Sequence, residues 1–249
     1  MRKRTMQATL LSLMLLASLA ACSKPQPEPE RISLDYDFSA DDHGWTGDFT
    51  DLPIDYAPDI YELEFAHRER PSSLPEADRE GMSLMLSGHN RSDDLFMYIK
   101  KQLTTAHGIE PNTTYWLRFT VEFATDAPAG AVGIGGPPGE AVWVKVGAAD
   151  TEPIPVAEEG SPHPNWILNV DKGNQNNDGE SALRIGDVAK VQNEEFDVYE
   201  LKTLTNNEQP LKAVSDADGS LWIFVGTDSG FEGRTTLYYT RISVELTAK

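Results

Sequence analysis

Tyr115-Trp116-Leu117-Arg118-Phe119-Thr120-Val121-Glu122-Phe123 is the stretch that decides the fold. Tyr115, Leu117, Phe119, Val121 and Phe123 are apolar; Trp116, Arg118, Thr120 and Glu122 stand between them. A strand sends successive side chains to opposite faces, so this period of two builds one core face and one outer face. A helix would need apolar residues three and four apart. The same alternation appears upstream, where Leu34, Tyr36 and Phe38 interleave with Asp35 and Asp37, and Tyr61, Leu63 and Phe65 with Glu62 and Glu64.

Working outward, the pattern predicts further strands at 82–87, 95–102, 141–147, 166–170, 196–204, 221–227 and 236–246. Turn-forming clusters separate them, among them Gly135-Gly136-Pro137-Pro138-Gly139, Asn206-Asn207 and Asp228-Ser229-Gly230. No long amphipathic helix and no internal repeat interrupts the series. Many short strands with turn signals and almost no helix predict an all-β chain, an antiparallel β-sandwich. About ten strands suit a jelly roll better than a seven-strand immunoglobulin sandwich.

The chain begins differently. Met1-Arg2-Lys3-Arg4 is followed by a mostly apolar run from Met6 to Ala21. A basic start, a short apolar core and small residues at the end make residues 1–21 a signal peptide. Leu19-Ala20-Ala21-Cys22 ends it, and Cys22 is the only cysteine of 249 residues. This spacing resembles the lipobox of bacterial lipoproteins. The resemblance implies a lipid on Cys22 and a place in the cell envelope, with the membrane as a partner through that anchor. Ser23 rather than Asp after the cysteine implies the outer membrane in a Gram-negative cell. Lys24-Pro25-Gln26-Pro27-Glu28-Pro29-Glu30 reads as an extended, semi-rigid spacer, so 22–31 is a tether and 32–249 one sandwich domain.

The whole chain has 21 basic and 40 acidic residues, a formal charge of −19; removing Arg2, Lys3 and Arg4 with the signal makes the balance −22. Such a charge disfavours nucleic acid and anionic surfaces as partners. With Cys22 carrying lipid, no disulfide can form within one chain.

Four further stretches resemble, in their order, jelly-roll carbohydrate-binding modules. These are Tyr36-Asp37-Phe38, Gly44-Trp45, Pro111-Asn112-Thr113-Thr114-Tyr115 and the last strand Thr236-Leu237-Tyr238-Tyr239-Thr240-Arg241-Ile242. The resemblance implies polysaccharide as a partner. Such modules often carry an Asp for structural calcium near the position of Thr240, which this chain replaces by Thr.

Catalysis has little foothold. There is no Gly-x-Ser-x-Gly elbow and no His-Glu-x-x-His pair, and the five histidines are scattered. Glycosidase chemistry needs only two carboxylates, and the sequence does not single out a pair. The loop Asn174-Gln175-Asn176-Asn177-Asp178-Gly179 has oxygen-bearing side chains at its first, third and fifth positions and Gly at the sixth, like the front half of a calcium loop. Position twelve is Ile185 rather than Glu, so Asn174, Asn176 and Asp178, closed by Asp187, form the expected calcium set. The competing reading is an ordinary polar turn.

The outer strand faces carry the remaining signal. Trp116 pairs by parity with Arg118, Trp143 with Lys145, Trp222 with Phe224, and Tyr239 with Arg241, while Phe96, Tyr98 and Lys100 share another face. Aromatic faces stack on sugar rings, and Arg or Lys hydrogen-bonds hydroxyl or carboxylate groups. Trp116, Arg118, Trp143, Lys145, Trp222, Tyr239 and Arg241 are therefore the expected ligand-binding residues, provided that no second layer covers them. The expected function is a non-catalytic, envelope-anchored binding module for carbohydrate. The alternatives are an envelope scaffold without a small-molecule ligand and a carbohydrate-active enzyme.

Overall fold

The computed structural model describes residues 30–191 and 195–249; the lipobox, Cys22 and the tether up to residue 29 lie outside the described residues. In chain order the strands are β1 (Arg31–Asp37), β2 (Thr46–Thr50), β3 (Leu52–Pro53), β4 (Glu64–Glu69), β5 (Met82–His89), β6 (Leu95–Leu103), β7 (Thr114–Thr125) and β8 (Val142–Ala149). There follow β9 (Pro155–Ala157), β10 (Asn165–Leu168), β11 (Ala182–Asp187), β12 (Glu200–Thr205), β13 (Leu211–Val214), β14 (Leu221–Ser229) and β15 (Arg234–Ala248). One helical turn, α1 (Pro58–Tyr61), precedes β4.

The strands form an antiparallel β-sandwich. The large sheet runs β12-β7-β15-β5-β4, with β1 also on β15 and β13 also on β7. The second sheet runs β11-β8-β14-β6-β2, and a small third sheet runs β3-β10-β9. From β5 to β8 the chain changes sheet at every step, crossing in the manner of a jelly roll.

The alternation on β7 is realised in full. Leu117, Phe119, Val121 and Phe123 are fully buried, and they meet Ile242, Val244 and Leu246 of β15. From the second sheet come Met97 and Ile99, Val142, Val144 and Val146, and Ile223 and Val225, all in the same core cluster. Each such side chain contributes roughly 1.5–3 kcal/mol on burial, which is what holds a disulfide-free sandwich together.

Two departures from the pattern matter for the site. The first is a bulge in β15. Tyr239 opposes Phe123 and Arg241 opposes Glu122, which leaves Thr240 as the extra residue. A bulge reverses the parity of the residues beyond it. Tyr239 therefore turns into the core with Ile242, fully buried, while Arg241 faces outward. Thr240 is buried too, and its hydroxyl donates to the Glu122 carboxylate at 2.7 Å. The second departure is a covering layer on the second sheet. The segment after β8, with β9 and β10, lies over the outer face of that sheet. There Phe96, Tyr98 and Phe224 form a closed cluster with Leu168 and Ala182. Phe96 and Tyr98 stack at 5.2 Å between centroids, and Phe224 meets both edge-on.

Candidate functional site

The expected ligand-binding residues do not share a surface. Trp143, Lys145 and Trp222 stand on the outer face of the second sheet; Trp116, Arg118 and Arg241 stand on the outer face of the large sheet, on the other side of the molecule. Tyr239 belongs to neither, being in the core between them.

On the second sheet the cations are consumed by the covering layer. Lys145 is fully buried, and its ammonium donates to the carbonyls of Lys172 and Asn177 at 2.8 and 2.9 Å. It also pairs with Asp228 at 3.0 Å. Burial pulls its pKa down, against the pull of Asp228. Lys172 reaches down from the layer itself, to Asp51 at 2.7 Å and to Asp228 at 2.8 Å. Burial opposes its charge, but the two carboxylates outweigh that and hold its pKa above the ordinary value. Lys100 likewise donates to the Pro153 carbonyl at 2.8 Å and pairs with Glu152 at 2.9 Å. Tyr98 donates to the same carbonyl at 3.1 Å. These lysines fasten a polypeptide flap, so Lys145 is a structural residue rather than a ligand contact. Trp143 and Trp222 are half-buried at the margin of the flap.

The calcium set is also dispersed. Asn174 lies at a depression beside the flap, but the Asp178 carboxylate turns away to accept from the backbone of Arg184 at 2.7 Å. Asp187 is three residues further along β11, or ~10 Å of strand. Its carboxylate pairs with Lys202 at 2.8 Å and accepts from Ala189 at 3.0 Å.

The outer face of the large sheet is different: no other strand layer lies on it among the described residues. Register places its side chains in rows across β1, β15 and β7. Arg31, Thr247 and Trp116 form one row, which Lys212 of β13 extends. Ser33, Glu245 and Arg118 form the next, then Asp35, Ser243 and Thr120, then Asp37, Arg241 and Glu122. Trp116 is 36% exposed, unusual for a residue of its size. Arg31, Ser33, Arg118, Asn207, Ser243 and Glu245 surround a polar depression of about 440 Å³ beside it.

Most of the charges here already have partners. Arg31 pairs with Glu245 at 3.7 Å, and Arg241 with Asp35 and Asp37 at 3.6 and 3.1 Å. The Ser243 hydroxyl donates to Asp35 at 2.6 Å. Neither Arg118 nor Lys212 makes an ion pair among the described residues, and of the two Arg118 lines the depression, so it is the cation best placed for a ligand there. An indole platform beside a guanidinium, the hydroxyls of Ser33, Thr120 and Ser243, and the Asn207 amide can stack on a ring and hydrogen-bond its substituents. Lys212, Asn207, Arg31 and Ser33 carry no such signal in the sequence. The alternation of Leu211 and Ala213 with Lys212 and Val214 marks β13 as a strand; only its pairing with β7 brings Lys212 to Trp116.

No protein-family model matches this chain, and no curated protein matches it. Several solved structures align with much of its length. A carbohydrate-binding module titled for specific mannan recognition, TmCBM27, aligns at 9% identity over 87% of this chain and 98% of its own, with a TM-score of 0.38. TmCBM61, solved with beta-1,4-galactotriose, aligns at 8% identity over 80% of this chain and 87% of its own, at 0.35. The K1 cleaved adhesin domain of Lys-gingipain from Porphyromonas gingivalis W83 aligns at 12% identity over 87% and 98%, also at 0.35. All three alignments lie below a TM-score of 0.5, and the sandwich stands on the sheet topology itself.

Proposed function

We propose that this chain is a non-catalytic carbohydrate-binding module that binds through the outer face of its large sheet and is held at the bacterial envelope by a lipid on Cys22. The observation that carries the binding reading is exposed Trp116 next to Arg118, which makes no ion pair among the described residues, beside the 440 Å³ polar depression. The lipid reading rests on the sequence pattern around Cys22 and on the Pro-rich spacer after it. Two or more acyl chains anchor a protein stably, whereas one binds only marginally. In a Gram-negative cell Ser23 directs the protein to the outer membrane.

The deciding experiment is a glycan screen of the purified protein followed by Trp116→Ala. The variant should lose most affinity for the glycan found, on the order of tenfold if stacking supplies ~0.5–1.5 kcal/mol beyond buried area. Its denaturation midpoint should stay close to that of the parent, because an exposed side chain contributes little to the core. Retained affinity in that variant would remove the reading. In cells, Cys22→Ser should move the protein from the membrane to the soluble fraction; retention would remove the lipid anchor.

The covered aromatics of the second sheet favour the scaffold alternative, since Phe96, Tyr98 and Phe224 pack under the flap and Tyr98 also hydrogen-bonds it. A screen in which no glycan binds would select it.

A further inference from the structure

A second depression, about 400 Å³, opens beside the flap on the second sheet, with Asp51, Asp94, Asp171 and Lys172 among its lining residues. Three separate segments bring carboxylates together at its floor. Asp51 comes from the turn between β2 and β3, Asp94 from the residue before β6, and Asp228 from β14. One oxygen from each lies within 4.8 Å of the others.

The oxygens can be followed one by one. Asp228 is fully buried. Its Oδ2 accepts from Lys172 at 2.8 Å and from the Gln175 amide at 2.9 Å, and pairs with Lys145 at 3.0 Å. Among the described residues, no donor reaches its Oδ1 or the buried Oδ1 of Asp94. Burial, and then the neighbouring carboxylates of Asp228 and Asp51, push the Asp94 pKa up. Lys172 takes one oxygen of Asp51. A buried carboxylate oxygen without a donor is among the most expensive groups a fold can hold.

We propose that Asp51, Asp94 and Asp228 bind a divalent cation at the floor of this depression, and that the cation is calcium. All the donors are hard carboxylate oxygens, which select calcium, magnesium or manganese over softer-ligand metals. The number of carboxylates then chooses among them. Magnesium holds several waters and takes one or two protein carboxylates, whereas calcium accepts more protein oxygens in a flexible geometry, which suits three carboxylates from three segments. The charge balance agrees. Among the described residues, Asp51, Asp94, Asp171 and Asp228 outnumber Lys145 and Lys172 here, and a divalent cation offsets the excess of negative charge. Water entering from the depression completes the coordination shell. The ion ties the turn before β3 and the β5–β6 loop to β14, beneath the flap. This site lies on the opposite side of the sandwich from Trp116, so it stands or falls independently of glycan binding.

The test is calorimetric titration of calcium chloride into the chelator-treated full chain in detergent, with magnesium chloride as comparator. We expect one saturable calcium site, weaker binding of magnesium, and a rise in melting temperature with calcium. Asp94→Asn and Asp51→Asn should each weaken calcium by about 10–100-fold, the range found when even an outer partner of a metal site is lost. Asp178→Asn should leave it unchanged. Both lead variants keep the shape of the side chain, and the parent titration stands by itself if one of them fails to fold. Absence of saturable calcium binding by the parent overturns the proposal, as does parent-like affinity in Asp94→Asn and Asp51→Asn. Loss of the site in Asp178→Asn alone overturns it in favour of the 174–178 loop.

Discussion

Phe224 of β14 lies against Gly147, its register partner on β8, so closely that a Cβ built on the glycine would fall 2.0 Å from the ring Cζ. The contact is on the outer side of the second sheet, under the flap. The glycine is there to admit the ring, and the ring anchors the cluster that the flap closes.

Gly147→Ala should therefore destabilise the protein by about 1–3 kcal/mol, as overpacking of a close-packed interior does. Urea unfolding measures it as a lower midpoint at unchanged slope. An unchanged midpoint would mean that the ring can move aside, and that the flap is not packed as described.

That contact also shows where sequence reading stops. Alternation tells that Phe224 points away from Leu221, Ile223 and Val225, because strand parity is local. What lies on that second face depends on segments far along the chain, and β9 and β10 that supply it are only three and four residues long. Lys145 is legible as an outward residue for the same reason, yet its partners come from two other places, Lys172 and Asn177 from the β10–β11 loop and Asp228 from β14. Tyr239 is misplaced by parity because a single extra residue, Thr240, shifts the register, and no local signal announces a bulge without glycine. Parity places Trp116 and Arg118 correctly, since β7 is long, regular and open on one side. Asp51, Asp94 and Asp228 lie in no motif, and only the fold brings them together.

Asp37 offers a pH test of the large sheet's outer face. Its carboxylate accepts from the Ser39 amide at 2.9 Å and from Arg241 at 3.1 Å. The Ser39 hydrogen bond, helped by Arg241, holds its pKa below the ordinary value. A depressed carboxylate contributes stability that is present above its unfolded pKa, near 4, and is lost as the pH falls through the lower folded value. Asp37→Asn should thus be slightly less stable than the parent at pH 7, by up to ~1 kcal/mol for an exposed pair. The difference should vanish in acid. A gap that persisted at about pH 2 would assign the effect to packing rather than charge.

If the large sheet binds glycan through its outer face, as proposed, Arg118 should set which sugars it prefers. Its neighbour across β15, Glu245, is held by Arg31 at 3.7 Å, and Arg241 is held by Asp35 and Asp37. Arg118 is the guanidinium free to meet a ligand, on a chain whose overall charge repels anions. A glycan bearing uronate groups gains a charge-assisted, bidentate hydrogen bond from it, and a neutral glycan does not. Arg118→Gln keeps much of the side chain's length and its hydrogen-bonding capacity but removes the charge. It should lower affinity for uronate-containing polysaccharide and leave neutral polysaccharide nearly unaffected. In the parent, uronate binding should weaken as salt rises past ~0.1 M, where the Debye length is about 10 Å. In the variant that salt dependence should flatten, because the attraction that salt screens has gone. Affinity electrophoresis at two salt concentrations measures both. If the parent binds uronate and neutral glycans alike and is indifferent to salt, Arg118 is not what selects the ligand, and recognition falls to Trp116 and the hydroxyls beside it.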